Sequence, residues 1–279
     1  MLIENLINNA SRKLKENKFS SFRLDAELML SNIMKIPREN LLVNEKLRLN
    51  KKIIDKYEIA LDRRLKEEPI AYINKKKEFW SLDFYVDKNT LIPRPETELM
   101  VFAVSNIFKN KDINILDIGT GSGCILLSIL TELKFSRGIG IDISKKSIRN
   151  AELNSKKFNL ENRSKFINIG VKYFNKGRYD LIVSNPPYIC TNKINKLSKE
   201  IVNFEPIIAL NGGIDGLDLI KKVIYNSRKL LKVNGILAIE IGTNQYLEVS
   251  KFLKMNGFRI VHKINDFQKN VRCILSTKV

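Results

Sequence analysis

Histidine and cysteine are scarce in this sequence, which limits the chemistry that the protein can carry out. The 279 residues include one histidine, His262, and three cysteines that lie far apart without C-x-x-C spacing. A single histidine excludes Ser-His and Cys-His nucleophile pairs and histidine-rich metal sites. An odd, scattered set of cysteines favours reduced thiols over disulfides or a thiolate zinc site. We therefore expect no bound metal, and a reaction that proceeds without imidazole unless His262 acts alone.

Long apolar segments are also missing. No run of about 18 or more apolar residues occurs, and residues 1–20 alternate apolar with charged side chains instead of forming the apolar block of a signal peptide. We expect a soluble cytoplasmic protein without membrane contact.

Acidic residues are few beside the basic ones, 30 against 49, which leaves a formal charge of +19. Such an excess favours a nucleic acid or an acidic protein as partner, because positive potential attracts polyanions and speeds their encounter. The alternative is a composition effect. Lysine, asparagine and isoleucine are abundant throughout, as in proteins from AT-rich genomes, and they produce a solvated lysine-rich surface. Charge alone does not decide between the two.

The pattern of apolar residues predicts two domains with a short linker. In residues 1–75 apolar positions recur at helical spacing, which predicts a small helical bundle. Residues 76–92 contain a segment rich in aromatic and β-branched residues, which predicts a β-hairpin linker. Residues 93–279 form the larger domain.

Within the bundle, a helix is predicted over residues 22–35. Ser20 or Ser21 can cap its start, and Pro37 is expected to end it, because the residue before a proline avoids helical dihedral angles. Pro69 is expected to close the last helix of the bundle in the same way.

From Ile113 onward, short apolar runs alternate with helical stretches, as in a parallel sheet buried on both faces. The prediction is an α/β fold with a Rossmann-like seven-stranded sheet that ends in an antiparallel hairpin. The predicted helices cover residues 123–133, 145–158 and 217–231. The predicted strands cover residues 113–118, 138–141, 165–169, 179–184 and 235–241, with the hairpin at 258–264 and 271–276.

The first predicted strand runs into a loop with three alternating glycines and then a helix. The glycines allow a tight turn close to a ligand, and the helix start supplies oriented N–H groups. A dinucleotide site places its third glycine where Cys124 stands, so this spacing favours S-adenosylmethionine. The second strand ends in Asp142, whose carboxylate can accept both ribose hydroxyls. We assign to cofactor binding Gly119, Thr120, Gly121, Ser122, Gly123 and Asp142.

A second loop, Asn185-Pro186-Pro187-Tyr188, follows the fourth strand at the carboxyl edge of the sheet, where open α/β folds bind ligands. An amide nitrogen is a poor nucleophile because its lone pair is delocalised. If the Asn185 side-chain oxygen and the Pro186 carbonyl each accept one N–H, the nitrogen is held with its lone pair towards the methyl donor. Tyr188 packs on the flat face of the acceptor group.

We assign all four residues of this loop to catalysis, and Asn185 to the cofactor site as well. No general base is needed before transfer, which agrees with the scarcity of histidine. The loop alone leaves amide and aromatic amine acceptors equally open.

Other segments, together with the run Val183-Ser184-Asn185-Pro186-Pro187-Tyr188-Ile189, resemble the bacterial release factor glutamine methyltransferases, the PrmC/HemK family, over nearly the whole chain. The segment with two prolines around an arginine is the most specific of them. These segments are Glu68-Pro69-Ile70-Ala71-Tyr72, Phe79-Trp80-Ser81-Leu82-Asp83-Phe84, Leu91-Ile92-Pro93-Arg94-Pro95-Glu96-Thr97-Glu98, Phe204-Glu205-Pro206 and Asp215-Gly216-Leu217-Asp218.

The resemblance implies a class I methyltransferase fold behind a helical domain, residues 1–75, that binds a release factor. It implies that S-adenosyl-L-methionine is the cofactor and that the acceptor is the side-chain amide nitrogen (N5) of the glutamine in the Gly-Gly-Gln loop of peptide chain release factors. Residues 185–188 then form the glutamine site. Release factors are acidic, so a basic enzyme would attract them. We expect a monomer that forms no stable nucleic acid complex.

One departure from the family pattern concerns the adenine pocket. The family usually offers an acidic residue after the third strand, whereas residues 169–174 here contain no carboxylate. We assign no adenine contact in this segment.

Two other functions stay open. An exocyclic amino group poses the same chemical problem as an amide, so a DNA adenine-N6 or RNA base amino methyltransferase is the main alternative. A methyltransferase fold retained as a non-catalytic scaffold is the second.

Overall fold

Five helices come first along the chain, and the strands of the main sheet follow with further helices between them. A computed structural model describes all residues, 1–279. The α-helices are α1 (Ile3–Glu16), α2 (Phe22–Met34), α3 (Arg38–Val43), α4 (Lys51–Leu65), α5 (Ile70–Asn74), α6 (Glu98–Ile107), α7 (Cys124–Glu132), α8 (Lys145–Lys157), α9 (Lys199–Phe204), α10 (Asp218–Leu230) and α11 (Tyr246–Met255). The strands are β1 (Lys77–Phe79), β2 (Leu82–Phe84), β3 (Asn114–Ile118), β4 (Arg137–Asp142), β5 (Ser164–Asn168), β6 (Tyr179–Ser184), β7 (Leu231–Glu240), β8 (Phe258–Asn265) and β9 (Val271–Lys278).

The chain divides into two units. The first comprises Met1–Lys76 together with Ser198–Phe204, and the second comprises Lys77–Leu197 together with Glu205–Val279. The first unit is helical and contains α9, which lies far along the chain. None of the helices combines the length and the apolar character needed to cross a membrane.

The core of the first unit follows the predicted helical spacing. Residues three and four positions apart share one face of a helix, so their apolar side chains form a buried stripe. Each fully buried leucine or isoleucine contributes about 1.5–3 kcal/mol. Tyr57 also lies in this core, where its hydroxyl donates to the Ala26 carbonyl at 3.0 Å. The buried stripe of α1 consists of Ile3, Leu6, Ile7, Ala10 and Leu14.

Three predicted helix ends can be compared with the structure. Helix α2 begins where expected, but the cap prediction is wrong, because the Ser21 side chain makes no capping hydrogen bond. The helix ends where Lys35 turns left-handed, before Pro37. The prediction for Pro69 is also wrong: α4 ends earlier, where Glu67 adopts a positive φ, and Pro69 precedes the first turn of α5. A proline is tolerated there because no N–H is required of it.

A buried guanidinium joins the helices of the first unit. Arg64 on α4 is 4% exposed; its Nε donates to Asp25 Oδ2 at 2.7 Å, and its Nη1 lies 2.6 Å from Glu200 Oε1 on α9. Nη1 also donates to the Glu68 carbonyl, and the guanidinium lies 4.3 Å from the centre of the Phe19 ring. The fork shape of arginine allows one side chain to hold all these groups. Arg64 therefore fixes α9 to the helical unit.

We predict that Arg64→Met destabilises the first unit by about 3–5 kcal/mol, because it leaves the buried Asp25 carboxylate without its counter-charge. Arg63→Met is the matched control: Arg63 pairs with Glu68 at the surface, so its loss is expected to cost about 1 kcal/mol or less. Hydrogen exchange of the amides in α2 and α4 measures both changes. Equal effects of the two substitutions would contradict the role given to Arg64.

The main sheet of the second unit has the strand order β5-β4-β3-β6-β7-β9-β8. The first five of these strands pair in parallel, and β9 runs antiparallel to both β7 and β8. The chain proceeds from β3 to β4 and β5 on one side and then returns to place β6 on the other side of β3. This reversal creates a crevice at the carboxyl ends of the strands.

The predicted fold class is confirmed, with seven strands in the sheet and a C-terminal antiparallel hairpin. The predicted strand bounds differ from the observed ones by up to about four residues, the usual uncertainty of bounds read from sequence. Helices α6 and α11 were not predicted. Each packs against β-strands, so its apolar face is specified by tertiary contacts as much as by its own short pattern.

Candidate active site

The three glycines of the loop between β3 and α7, residues 119–123, all have positive φ: 76° at Gly119, 55° at Gly121 and 80° at Gly123. Only glycine adopts this conformation without strain. A Cβ on Gly119 or Gly121 would meet no atom within 4 Å, whereas a Cβ on Gly123 would lie 3.2 Å from Ala151 on α8. The first two glycines therefore face open space, and the third allows α7 to approach α8.

Hydrogen bonds attach this glycine loop to the end of β4. The N–H groups of Gly119 and Thr120 both donate to the Ile141 carbonyl, at 2.8 and 3.0 Å. Gly121 N–H donates to Asp142 Oδ2 at 3.0 Å, and Asp142 Oδ1 accepts from Ser144 N–H at 2.8 Å. Burial raises the pKa of Asp142, and these backbone hydrogen bonds oppose the rise. The predicted cofactor residues are thus brought together at the ends of two adjacent strands.

A second carboxylate lies under the same loop. Asp117 is fully buried, and its Oδ2 accepts from Thr120 Oγ1 at 2.7 Å. Burial raises the pKa of Asp117 to about 7, which the Thr120 hydrogen bond partly opposes and the Asp142 charge reinforces. The group therefore titrates near neutral pH.

A cavity of about 390 Å³ opens at this edge of the sheet. Its volume is within the range of small-molecule sites, and its walls are mainly apolar. Of the predicted site residues, those that line it are Gly119, Gly121, Asp142, Asn185 and Pro187. Thr120, Ser122, Gly123, Pro186 and Tyr188 stand outside the lining.

One wall of the cavity is formed by Ile143 together with residues 169–173. Strand β5 ends at Asn168, and the short turn Val171–Tyr173 follows. Gly170, between the two, lies beside the Ile143 side chain. Ile143 is 58% exposed and Tyr173 is 71% exposed. This wall presents mainly apolar side chains and backbone groups together with Lys172, and no carboxylate stands in residues 169–174.

The loop 185–188, called here the acceptor loop, begins where β6 ends. Pro186 is buried, and the other three residues are partly exposed. Asn185 Nδ2 donates to Thr97 Oγ1 at 3.2 Å, and the Tyr188 hydroxyl donates to Glu240 Oε1 at 3.3 Å. Burial, reinforced by the Glu240 charge, raises the pKa of the Tyr188 hydroxyl well above its ordinary value. Both ends of the loop are therefore held by side chains from other elements.

Sequence reasoning missed Thr97 and Glu240 as parts of this site. Thr97 lies in the short turn Pro95–Thr97, and Glu240 ends β7; both are buried. A glutamate inside the otherwise apolar run of β7 was the available signal. The neighbours of Thr97 along the chain gave no indication of its contacts with Asn185 and Glu240.

We predict that Asp117→Asn changes the pH dependence of stability. The folded pKa of Asp117, about 7, lies above the unfolded value of about 3.9, so its contribution to stability is complete below about pH 4 and is lost as the pH rises through 7. The unfolding free energy of the wild type should fall relative to the variant by up to about 1.4 kcal/mol per pH unit between 4 and 7. Urea unfolding at several pH values measures the difference, and a pH-independent offset would contradict the prediction.

Comparison with known proteins gives consistent matches for both parts of the chain. Residues 5–74 match the family described as PrmC N-terminal domain, and residues 109–273 match the family described as methyltransferase domain. The chain is 37% identical to the release factor glutamine methyltransferase of Clostridium acetobutylicum, over 100% of this chain and 99% of that protein. It is also 37% identical to the release factor glutamine methyltransferase of Buchnera aphidicola subsp. Baizongia pistaciae, over 100% of both chains.

Among solved structures, a methyltransferase from Pyrococcus furiosus resembles the chain with a TM-score of 0.54 at 18% identity. The likeness covers 77% of this chain and 95% of that one. At this identity it supports the fold alone.

Proposed function

Since this chain belongs to the family of release factor glutamine methyltransferases, and is therefore a methyltransferase, we propose that it methylates peptide chain release factors at a glutamine side chain. The target is the amide nitrogen N5 of the glutamine in the Gly-Gly-Gln loop, and the methyl donor is S-adenosyl-L-methionine. One observation carries the proposal: the glycine loop and the acceptor loop open on the same cavity. Donor and acceptor can thus lie side by side. Because the proposed substrate is a release factor, the reaction would modulate translation termination.

The residues of the glycine loop fit this cofactor. The space beside Gly119 and Gly121 is open to a ligand, and the Asp142 oxygens keep lone pairs beyond the two that accept backbone N–H groups. Asp142 would therefore accept the ribose hydroxyls. The buried Asp117 adds negative potential close to a ligand that carries positive charge. When bound, the cofactor supplies an electrophilic methyl group on a sulfonium.

The acceptor loop would hold the glutamine amide by its two protons. Asn185 Nδ2 is engaged by Thr97, which leaves Oδ1 to accept one N–H, and the Pro186 carbonyl accepts the other. With both protons held, the nitrogen lone pair faces the cavity. Tyr188, whose hydroxyl is held by Glu240, packs on the flat face of the amide. The nitrogen becomes strongly acidic after transfer, so its proton leaves without a histidine.

The helical region, residues 1–75 in our division of the chain, is proposed to bind the release factor. Residues 76–92 then act as a linker and 93–279 as the methyltransferase domain. The match of residues 5–74 to the PrmC N-terminal domain supports this assignment. The charge of +19 would steer an acidic release factor towards the enzyme. A monomer with no stable nucleic acid partner is sufficient for this reaction.

We predict that Asn185→Ala abolishes methyl transfer while the affinity for S-adenosylmethionine stays within roughly tenfold, because the residue acts mainly on the acceptor. Asn226→Ala is the control: Asn226 is on α10, and its side chain bonds only to the Lys222 carbonyl. Transfer is measured with labelled cofactor and binding by calorimetry. Parallel loss of both quantities in Asn185→Ala would refute the role.

The substrate itself is tested by incubating the protein with tritiated S-adenosylmethionine, a release factor and duplex DNA. Label is expected on the release factor, and mass spectrometry should locate it on the glutamine of the Gly-Gly-Gln peptide. Label in DNA alone would make the DNA adenine alternative correct. If calorimetry detects no cofactor binding at millimolar concentration, the protein is a scaffold.

A further inference from the structure

A buried carboxylate that accepts from the Tyr188 hydroxyl lies behind the acceptor loop. Glu240 is 3% exposed, and its Oε2 accepts from Thr97 Oγ1 at 2.7 Å. Thr97, itself 2% exposed, accepts from Asn185 Nδ2 at 3.2 Å. We propose that Glu240 is a positioning residue that, through Thr97, determines which end of the Asn185 side-chain amide faces the acceptor. The inference rests on the proposed function of the acceptor loop.

The order of donors and acceptors gives this chain of hydrogen bonds one direction. An ionised carboxylate only accepts, so Glu240 takes the single hydroxyl proton of Thr97. The Thr97 oxygen then has only lone pairs to offer to Asn185. Asn185 must present its NH₂ group to Thr97, and its oxygen turns to the opposite side.

Packing alone would not determine the orientation of the Asn185 side-chain amide. The oxygen and nitrogen ends of an asparagine side chain have nearly the same size, so both orientations fill the same space. In the reversed orientation the Asn185 oxygen would face the lone pairs of Thr97, and its NH₂ group would face the N–H groups of the acceptor amide. Both contacts would be unfavourable. The buried carboxylate therefore selects the orientation that can accept from the substrate.

Glu240 also holds the far end of the same loop. Its Oε1 accepts from the Tyr188 hydroxyl at 3.3 Å, while its Oε2 serves Thr97. Burial raises the pKa of Glu240 to about 7, and the hydrogen bonds from Thr97 and Tyr188 and the charge of Arg272 oppose that rise. The carboxylate is therefore ionised above about pH 7, and in that form it acts purely as an acceptor. One side chain thus orients both Asn185 and Tyr188.

Turnover of a release factor tests the role. Glu240→Gln keeps the shape of the side chain but can donate to Thr97, and Thr97→Val removes the hydroxyl. Both substitutions should lower kcat by about 10- to 100-fold, whereas KM for the release factor should stay within roughly threefold of the wild-type value. Thr97→Ser restores the hydroxyl and should restore kcat. Asp180→Asn, a carboxylate-to-amide change at the start of β6, serves as the control and should leave kcat unchanged.

A second measurement follows the hydrogen bond of the Asn185 side-chain amide directly, without turnover. The ¹⁵N side-chain amide signal of Asn185 is assigned by its absence in Asn185→Ala, and its hydrogen exchange is followed in the free protein. Exchange should accelerate at least about tenfold in Glu240→Gln and Thr97→Val and remain slow in Thr97→Ser. Thr97→Val removes the acceptor of the NH₂ group, and in Glu240→Gln the Thr97 hydroxyl proton is no longer held by a carboxylate and can point towards Asn185. Unchanged exchange in those two variants overturns the inference.

The two measurements separate the inference from the proposed function. A wild type that leaves the release factor unmethylated refutes the proposed function. Normal kcat in Glu240→Gln and Thr97→Val, with accelerated exchange at Asn185, refutes the positioning role alone. An equal loss of kcat in Thr97→Ser and Thr97→Val would also overturn the positioning role, because the hydroxyl at residue 97 would then have no effect on kcat.

Discussion

The pairing of β3 with β4 on one side and β6 on the other is the constraint on which the site depends. Parallel strands end at the same edge of a sheet, so the loops that follow these three strands meet there. The Ser184 hydroxyl at the end of β6 donates to the Ile118 carbonyl at the end of β3, at 2.7 Å, and joins the two strand ends directly. A shift in register between β3 and β6 would separate the glycine loop from the acceptor loop.

Three acidic residues organise the loops at this edge, in a protein with a large excess of positive charge. Asp117, Asp142 and Glu240 lie at or next to the ends of β3, β4 and β7, and burial raises the pKa of each. Buried carboxylates are costly unless they are hydrogen-bonded. Each of these three accepts from a loop residue, so each stabilises one loop conformation. The surplus of lysine is a property of the surface, whereas the site is built around buried acids.

This arrangement agrees with a reaction that depends on position instead of acid–base chemistry. One histidine in 279 residues leaves little scope for proton transfer by imidazole. Holding two reacting groups in alignment lowers a barrier without any proton acceptor. In the proposed function, the rigid Pro186-Pro187 pair and the hydrogen bonds of Asn185 and Tyr188 would serve such an alignment. Scarcity of histidine and precise loop geometry are thus two aspects of the same chemistry.

The sequence by itself determined the features that depend on neighbouring residues. Positive φ angles require the glycines at 119, 121 and 123, and the alternation of apolar runs with helical stretches specifies a parallel sheet. Helix ends were less predictable, because Pro69 can either follow a helix or begin the next one. Only the tertiary structure decided that Thr97 and Glu240 stand behind the acceptor loop, since their hydrogen bonds join separate elements of the chain. Local patterns encode backbone conformation, whereas the choice of a hydrogen-bond partner for a buried side chain depends on which distant elements the fold brings into contact.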